Sequence, residues 1–266
     1  MITEIIGVIG LGNAGGAVAG ALARKTKVVG FDPDPERCLR AGDLGVDCVS
    51  STEELAEKTD HIILSLPKPE ISIAVTKTLC DSASRPKLLI ETSTVTPQTA
   101  ITCNDLCKQN DIAYVDAAIA GGVASMAAGE ITFFLGGADE NKKLASNILN
   151  LIAAGIHDLG PVGAGMGTKV VNNGVMHALM VVLIEAFSMS NKLGVSSQTM
   201  IEILNREEGL LRPLVHRVQE RMQEGNYEGG MSVTNARKDS VLALETAQQL
   251  GVPLFATQAA HTPYEI

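Results

Sequence analysis

Lys169, Asn172 and Asn173 lie within one glycine-rich segment, residues 163–173, that reads GAGMGTKVVNN. On a helix, spacings of three and four residues let all three side chains address one cleft. A lysine among glycines at a helix start, accompanied by two amides, suits proton transfer to a small polar substrate that the amides orient. A solvated first-turn lysine would have no such company. A second constellation lies near the start of the chain. Gly10, Leu11, Gly12, Asn13, Ala14 and Gly15 form GxGxxG directly after an apolar run at 5–9 and before helix-forming residues 17–23. In that context Gly10 permits a tight turn, Gly12 lets the backbone approach a pyrophosphate, and Gly15 lets helix and strand pack closely. The amides and dipole of the following helix would face the phosphates.

Asp32 stands 20 residues after Gly12, where a carboxylate can bind both ribose hydroxyls of a dinucleotide. The same carboxylate repels a 2′-phosphate. Pro33, Asp34, Pro35 and Glu36 occupy the positions where a phosphate-binding cation would stand, and Arg37 already lies in the next helix. NAD is therefore the expected cofactor, with NADP less favoured. No His, Cys or carboxylate cluster has metal-ligand spacing, and neither GxSxG nor a Ser/His/Asp ordering suggests a hydrolase. His177, two turns beyond Lys169, reads as a core or interface histidine.

The elements that must carry these residues change character along the chain. Apolar runs of strand length occur at 5–9, 27–31, 61–66 and 87–91, with helical stretches at 14–25, 36–44 and after Ser51. Ser51 and Glu54 have the spacing of a capping box. Strand-like segments follow at 113–115 and 131–135, then a helix from 139 to 152. This alternation predicts a parallel sheet covered on both faces. Beyond Gly167 strand patterns vanish. Residues 166–192 predict one helix of ~40 Å, and its middle, VMHALMVVLIEAF, is apolar on nearly every face. Such a helix needs burial all round, by its own domain or by a partner subunit. Further helices are predicted at 197–207, 212–224 and 236–250. The expected organisation is an α/β domain over 1–162 and an all-helical domain over 163–266, joined by the long helix. Ile266 falls within the pattern of a further helix, so the natural C-terminus is expected further on.

Composition bounds the function. The 266 residues are 45% apolar and 19% charged, enough for a substantial core. The 30 acidic against 21 basic side chains give a net charge of −9, which argues against nucleic acid or an anionic membrane as the main partner. With 3% aromatics and no Trp, little material exists for stacking on bases or sugars. Five cysteines without CxxC spacing suggest neither a disulfide framework nor a zinc site, and Cys103 and Cys107 read as ordinary buried thiols. The N-terminus lacks the basic region of a signal peptide. The longest uninterrupted apolar run, 179–184, is far shorter than the roughly 20 residues that cross a bilayer. A soluble, cytoplasmic protein is expected.

Several segments, in order along essentially the whole chain, together resemble the β-hydroxyacid dehydrogenases, the family of 3-hydroxyisobutyrate dehydrogenase and tartronate semialdehyde reductase. They are GLGNAG, where the family usually has Met at Ala14; DAAIAGGVASMAAGEITFFLGG at 116–137; GMGTKVVNN; and Lys238-Asp239. Leu66-Pro67 and the Ser93-Thr94 turn also match. The resemblance implies a Rossmann domain, an all-helical domain and a homodimer or homotetramer. It implies Lys169 as the catalytic lysine and Asn173 as the substrate-orienting amide, with Ser93 and Asn172 beside the substrate. Gly121 and Gly122 would hold the substrate carboxylate through backbone amides. Leu66, Pro67, Thr94 and Lys238 would contact the cofactor, Lys238 at its nicotinamide half.

Ala118 and Ala120 depart from the Pro and Ser common in the family, which removes a hydroxyl donor to the carboxylate. Phosphogluconate is disfavoured, because those relatives carry a much larger helical domain. Imine-reducing relatives generally replace the lysine, which is present here. The implied reaction is reversible oxidation of a small 3-hydroxy acid to an aldehyde or keto acid. A non-catalytic dinucleotide sensor or scaffold of the same fold, or an imine-reductase-like relative, is the alternative.

Overall fold

The computed structural model describes residues 5–228 and 230–265. The first four residues and Ile266, which enter the readings of the two chain ends, lie outside them. The chain divides into two compact units, one up to Asn173 and one from Gly174 onward.

The first unit is built on an eight-stranded sheet. Its strands are β1 (Ile6–Ile9), β2 (Val28–Phe31), β3 (Asp47–Cys48), β4 (His61–Leu64), β5 (Leu88–Glu91), β6 (Ala113–Ala120), β7 (Ile131–Gly137) and β8 (Ala153–Asp158). They lie in the order β3-β2-β1-β4-β5-β6-β7-β8. The central strands are short apolar runs because both faces are covered. Ile63, Leu88, Ile90 and Val115 face one core with Val18 and Leu22 of helix α1 (Asn13–Ala23). Ile62, Leu64, Leu89 and Tyr114 face the other, with Leu55 of α3 (Thr52–Lys58), Leu79 of α4 (Pro69–Asp81) and Cys103 of α5 (Pro97–Lys108). Helix α2 (Pro35–Gly42) is capped by Asp34, which accepts the Glu36 N–H at 3.0 Å. At α3, Ser51 Oγ accepts the Glu54 N–H at 3.1 Å, but the Glu54 carboxylate reaches the Ser50 N–H, at 2.8 Å, rather than that of Ser51.

Three expectations are corrected here. The sheet is parallel only as far as β6; β7 runs antiparallel to it, and β8 parallel to β7. The turn between β6 and β7 holds only the short helix α6 (Val123–Ala128), too short a link for a parallel crossover. The helix predicted at 139–152 is α7 (Asp139–Leu149), and β8 follows it. β8 is an edge strand, largely exposed or half-buried, so its sequence AAGIHD carries little of the apolar signal of a buried strand.

The long helix is α8 (Ala164–Lys192), 29 residues, and the division between the units falls within it. Beyond it lie α9 (Ser197–Asn205), α10 (Val233–Leu250) and α11 (Phe255–His261). The α-helix expected at 212–224 is instead a π-helical turn at Pro213–Gln219 and a 3₁₀ turn at Met222–Glu224. Both apolar core clusters belong to the first unit. Among the described residues of the second unit, the buried apolar side chains are Ala247 and Leu254. The expected burial of α8 on all sides is not met within the chain, since Val175, Met180 and Ile184 are each more than half exposed. By length and composition α8 also meets the criterion for crossing a bilayer, with mean hydropathy 1.6. The uninterrupted run at 179–184 is only the centre of this apolar stretch.

Candidate active site

The glycine turn after β1 has the geometry its sequence requires. Gly10 has φ +92°, and a Cβ there would strike the Ser65 carbonyl oxygen. A Cβ on Gly15 would strike the Gly10 carbonyl and lie 2.9 Å from the Ser65 Cβ, so the first turn of α1 packs directly onto the strand exits. Gly12 differs. Its Cβ position is open, with an Arg37 terminal nitrogen at 3.8 Å as the nearest atom outside the turn. That opening lies at the helix N-cap, where a diphosphate can meet unpaired amides. Leu11 is buried, Ala14 half-buried and Asn13 exposed. The turn lies between β2 and β4, where successive strands leave on opposite sides of β1, the crevice in which open α/β sheets bind ligands.

Asp32, just past β2, is buried and fully engaged. Its Oδ2 accepts the Leu11 N–H at 2.8 Å and its Oδ1 the Asp34 N–H at 2.9 Å. Arg37 lies 3.4 Å from Asp32 Oδ2 and 3.3 Å from Asp34 Oδ2. With Gly12, Asn13 and Arg40 it lines a cavity of about 360 Å³. From sequence Arg37 belongs to the following helix and not to the ribose site; its place in the first turn of α2, five residues beyond Asp32, is the signal that brings it there.

The remaining strand ends carry the other candidates. Ser93 is buried after β5, and its Oγ accepts the Leu66 N–H at 2.7 Å, stapling the exits of β4 and β5 together. Pro67 and Thr94 are exposed beside them, and Leu66 is half-buried. Gly121 and Gly122 are exposed after β6, Gly121 with φ +141°. Ala118 is fully buried in the core, whereas Ala120 is half-buried at the strand end.

Lys169, Asn172 and Asn173 are half-buried on the first turns of α8. Burial lowers the Lys169 pKa, and among the described residues no carboxylate forms an ion pair with it. The helix starts at Ala164, two residues before the predicted Met166, because the Asp116 carboxylate of β6 receives the Gly163 and Met166 N–H groups at 2.8 and 2.9 Å. The first unit thus contains every candidate residue except Lys238. That residue lies exposed on α10 in the second unit, paired with Asp239 at 3.1 Å. His177 is exposed. Cys103 and Cys107 are buried as expected, and burial pushes both thiols up, Cys103 to about 11.

A glycine turn at a strand-order reversal, an acid at the end of the second strand and a long helix leading to a helical unit define a class, the Rossmann-type NAD(P)-dependent oxidoreductases. Residues 5–171 match the NAD binding domain of 6-phosphogluconate dehydrogenase, and residues 163–266 match the NAD-binding domain of NADP-dependent 3-hydroxyisobutyrate dehydrogenase. The chain belongs to the β-hydroxyacid dehydrogenase family, oxidoreductases that act on CH–OH groups. It is 28% identical to human mitochondrial 3-hydroxyisobutyrate dehydrogenase over 98% of this chain and 81% of that protein. It is 27% identical to 2-(hydroxymethyl)glutarate dehydrogenase of Eubacterium barkeri, over 98% and 88%. Among solved structures, Mycobacterium tuberculosis 3-hydroxyisobutyrate dehydrogenase with L-serine aligns at TM-score 0.73 and 27% identity, covering 99% of this chain and 93% of that one. A Pseudomonas imine reductase aligns at TM-score 0.89 with 18% identity over 99% and 93%, a likeness of fold alone.

Proposed function

We propose that the protein is an NAD-dependent dehydrogenase or reductase that interconverts a small 3-hydroxy acid and its semialdehyde or keto acid, with Lys169 as general acid and base. The observation that carries this reading is Lys169 itself: a half-buried amine without a carboxylate partner among the described residues, on a helix start pinned to the sheet. A lysine at its ordinary pKa near 10.4 is a poor base at neutral pH, and desolvation is what moves it toward usefulness.

The open cradle above Gly12 and the acid at Asp32 fit a dinucleotide. Gly10, Gly12, Gly15 and Asp32 would hold it, and it would supply the hydride acceptor for oxidation of the carbinol carbon, or the hydride donor for the reverse reaction. In oxidation Lys169 Nζ takes the hydroxyl proton, and in reduction it returns it. Asn173 orients the hydroxyl with Asn172 and Ser93 close by, while the Gly121 and Gly122 amides bind the carboxylate. The family resemblance also assigns Leu66, Pro67, Thr94 and Lys238 to the cofactor. Asp32 favours NAD, and Arg37 beside it softens that preference. The relatives support the substrate class: 3-hydroxyisobutyrate and 2-(hydroxymethyl)glutarate, for which the enzymes are named, and the L-serine present with the Mycobacterium tuberculosis structure all carry CH₂OH on the carbon next to a carboxylate. The exposed apolar residues of α8 support a homodimer or homotetramer.

The test is the change in absorbance at 340 nm with NAD and those three hydroxy acids, followed by Lys169→Met. That substitution keeps the apolar stem and removes the amine. The expected loss in kcat is roughly 10²–10⁴, the usual contribution of a positioned acid–base group, with NADH affinity nearly unchanged. A Lys169→Met enzyme within threefold of wild type would remove the lysine from the mechanism. Failure to turn over any hydroxy acid would favour the non-catalytic sensor.

A further inference from the structure

The proposed reaction uses two ionisable groups of the first unit's core in no way, Glu91 and Asp116. Both are fully buried. Glu91 ends β5 and Asp116 lies midway along the adjacent β6, and the parallel register pairs them directly, so the two carboxyls emerge on the same face of the sheet. Each holds a different part of the candidate site.

Asp116 binds the start of α8 with both oxygens, Oδ1 to the Gly163 N–H at 2.8 Å and Oδ2 to the Met166 N–H at 2.9 Å. The grip has no slack. A Cβ on Gly136 would stand 2.6 Å from Oδ1, and one on Gly165 2.9 Å from Oδ2. Only glycine fits at either position with the carboxylate in place. Glu91 Oε1 accepts the Ser93 N–H at 2.8 Å, and Ser93 Oγ in turn accepts the Leu66 N–H. Glu91 Oε2 is buried without a formed hydrogen bond, as are the hydroxyls of Ser72 and Thr76 on α4 and of Tyr114 on β6.

Two neighbouring carboxyls buried together cannot both hold charge cheaply. Burial raises the Asp116 pKa as well, and the paired Gly163 and Met166 amides oppose that rise by favouring its charged form. Burial, with Asp116 as a lesser contributor, pushes the Glu91 carboxyl up to about 7. Its other titratable neighbours are Tyr114 on β6 and Cys103 on α5.

We infer that Glu91 and Asp116 form a pair of positioning residues. Asp116 fixes the first turn of α8 to the sheet, and with it Lys169, three residues beyond Met166; Glu91 fixes the Ser93–Thr94 turn to the end of β5. The two halves of the substrate site are thereby referenced to one register pair on adjacent strands. This rests on the reading of Lys169 as the acid–base group. Lys169→Met tests that reading separately, whereas the experiment below leaves Lys169 in place.

The experiment compares Asp116→Asn, Glu91→Ala and Glu91→Gln with wild type, using NAD and the best hydroxy acid of the panel. In Asp116→Asn one amide donor faces a side-chain NH₂ instead of an oxygen, the helix start loosens, and Lys169 rehydrates. The expected result is a fall in kcat of at least tenfold. The pH limb of kcat for oxidation should move at least half a unit upward, and the NADH dissociation constant should stay within threefold, since the glycine turn is untouched. Glu91→Ala should lose at least fivefold in kcat/KM, and Glu91→Gln, which keeps an oxygen for the Ser93 N–H, should recover most of it. A purely structural role would lower Tm while leaving kcat per folded molecule and its pH limb unchanged, and that outcome would overturn the proposal. Should Asp116→Asn not fold, hydrogen exchange on the wild-type protein decides. Protection of the Gly163 and Met166 amides comparable with β5 supports the anchor, and exchange as fast as at a frayed helix end refutes it.

Discussion

Arg37 alters what Asp32 means for cofactor choice. From sequence, Asp32 alone faces the ribose and repels a 2′-phosphate. In the structure the Arg37 guanidinium lies 3.4 Å from that carboxylate, also tied to Asp34 and 44% exposed. The carboxylate is buried and the guanidinium half-exposed, so the pair places a cation where a 2′-phosphate would arrive. The wild-type protein should still prefer NAD to NADP by at least tenfold in kcat/KM, about 1.4 kcal/mol. Arg37→Ala should widen that ratio by weakening NADP alone. Equal use of both nucleotides by the wild type would defeat the assignment of Asp32.

Glu91 makes a second prediction at the same scale. Its carboxyl is raised from 4.5 to about 7 in the folded protein, so between those values the folded state holds a proton that the unfolded chain has released. Stability therefore falls as pH rises through that window, by on the order of 3 kcal/mol at most. Glu91→Gln cannot ionise and escapes the loss. The Tm of the variant minus that of wild type should grow more positive from pH 5 to pH 8; a difference that does not change with pH would refute the burial argument. Neither role was legible in the sequence. Asp32 sits in a motif, but Glu91 ends an apolar strand with nothing local to mark it.

At the scale of elements, period and punctuation were informative where the chain is locally consistent. The β1 turn, the capping of α3 and the extent of α8 to Lys192 all follow from glycine, serine and apolar spacing. Periodicity failed where an element's environment is one-sided or irregular. β8 is partly exposed and looks unlike the central strands. The 212–224 stretch, with Pro213 near its start, forms π and 3₁₀ turns rather than one helix. The start of α8 was displaced by two residues because its first amides bind a carboxylate from β6, a partner helix propensity does not contain.

The whole molecule buries its apolar surface unevenly. The first unit encloses two cores, one on each face of the sheet, while the second buries two apolar side chains among its described residues. A helical unit exposing Val175, Met180, Ile184, Leu214 and Phe255 presents more apolar surface than monomeric proteins usually leave in water. A second copy of the chain is the simplest cover. Native mass measurement at neutral pH should give a dimer or tetramer, and Met180→Glu, which places a charge on the apolar side of α8, should shift it toward monomer or aggregate. A stable wild-type monomer at nanomolar concentration would contradict this.

The sequence by itself determined the features that depend on neighbours along the chain. A positive-φ turn needs Gly10, a helix packed on its own turn needs Gly15, two-sided burial makes β1, β4 and β5 continuous apolar runs, and Lys169 with Asn173 share a helix face by spacing alone. Tertiary structure decided whatever depends on residues far apart. Asp116 meets Gly163 and Met166 across 47 and 50 residues, Leu66 meets Ser93 across 27, and β7 reverses against β6. Such contacts arise because folding brings the ends of different strands to one edge of the sheet. Local propensity cannot specify which buried carboxylate waits there, since its energetic value exists only once water has been excluded around it.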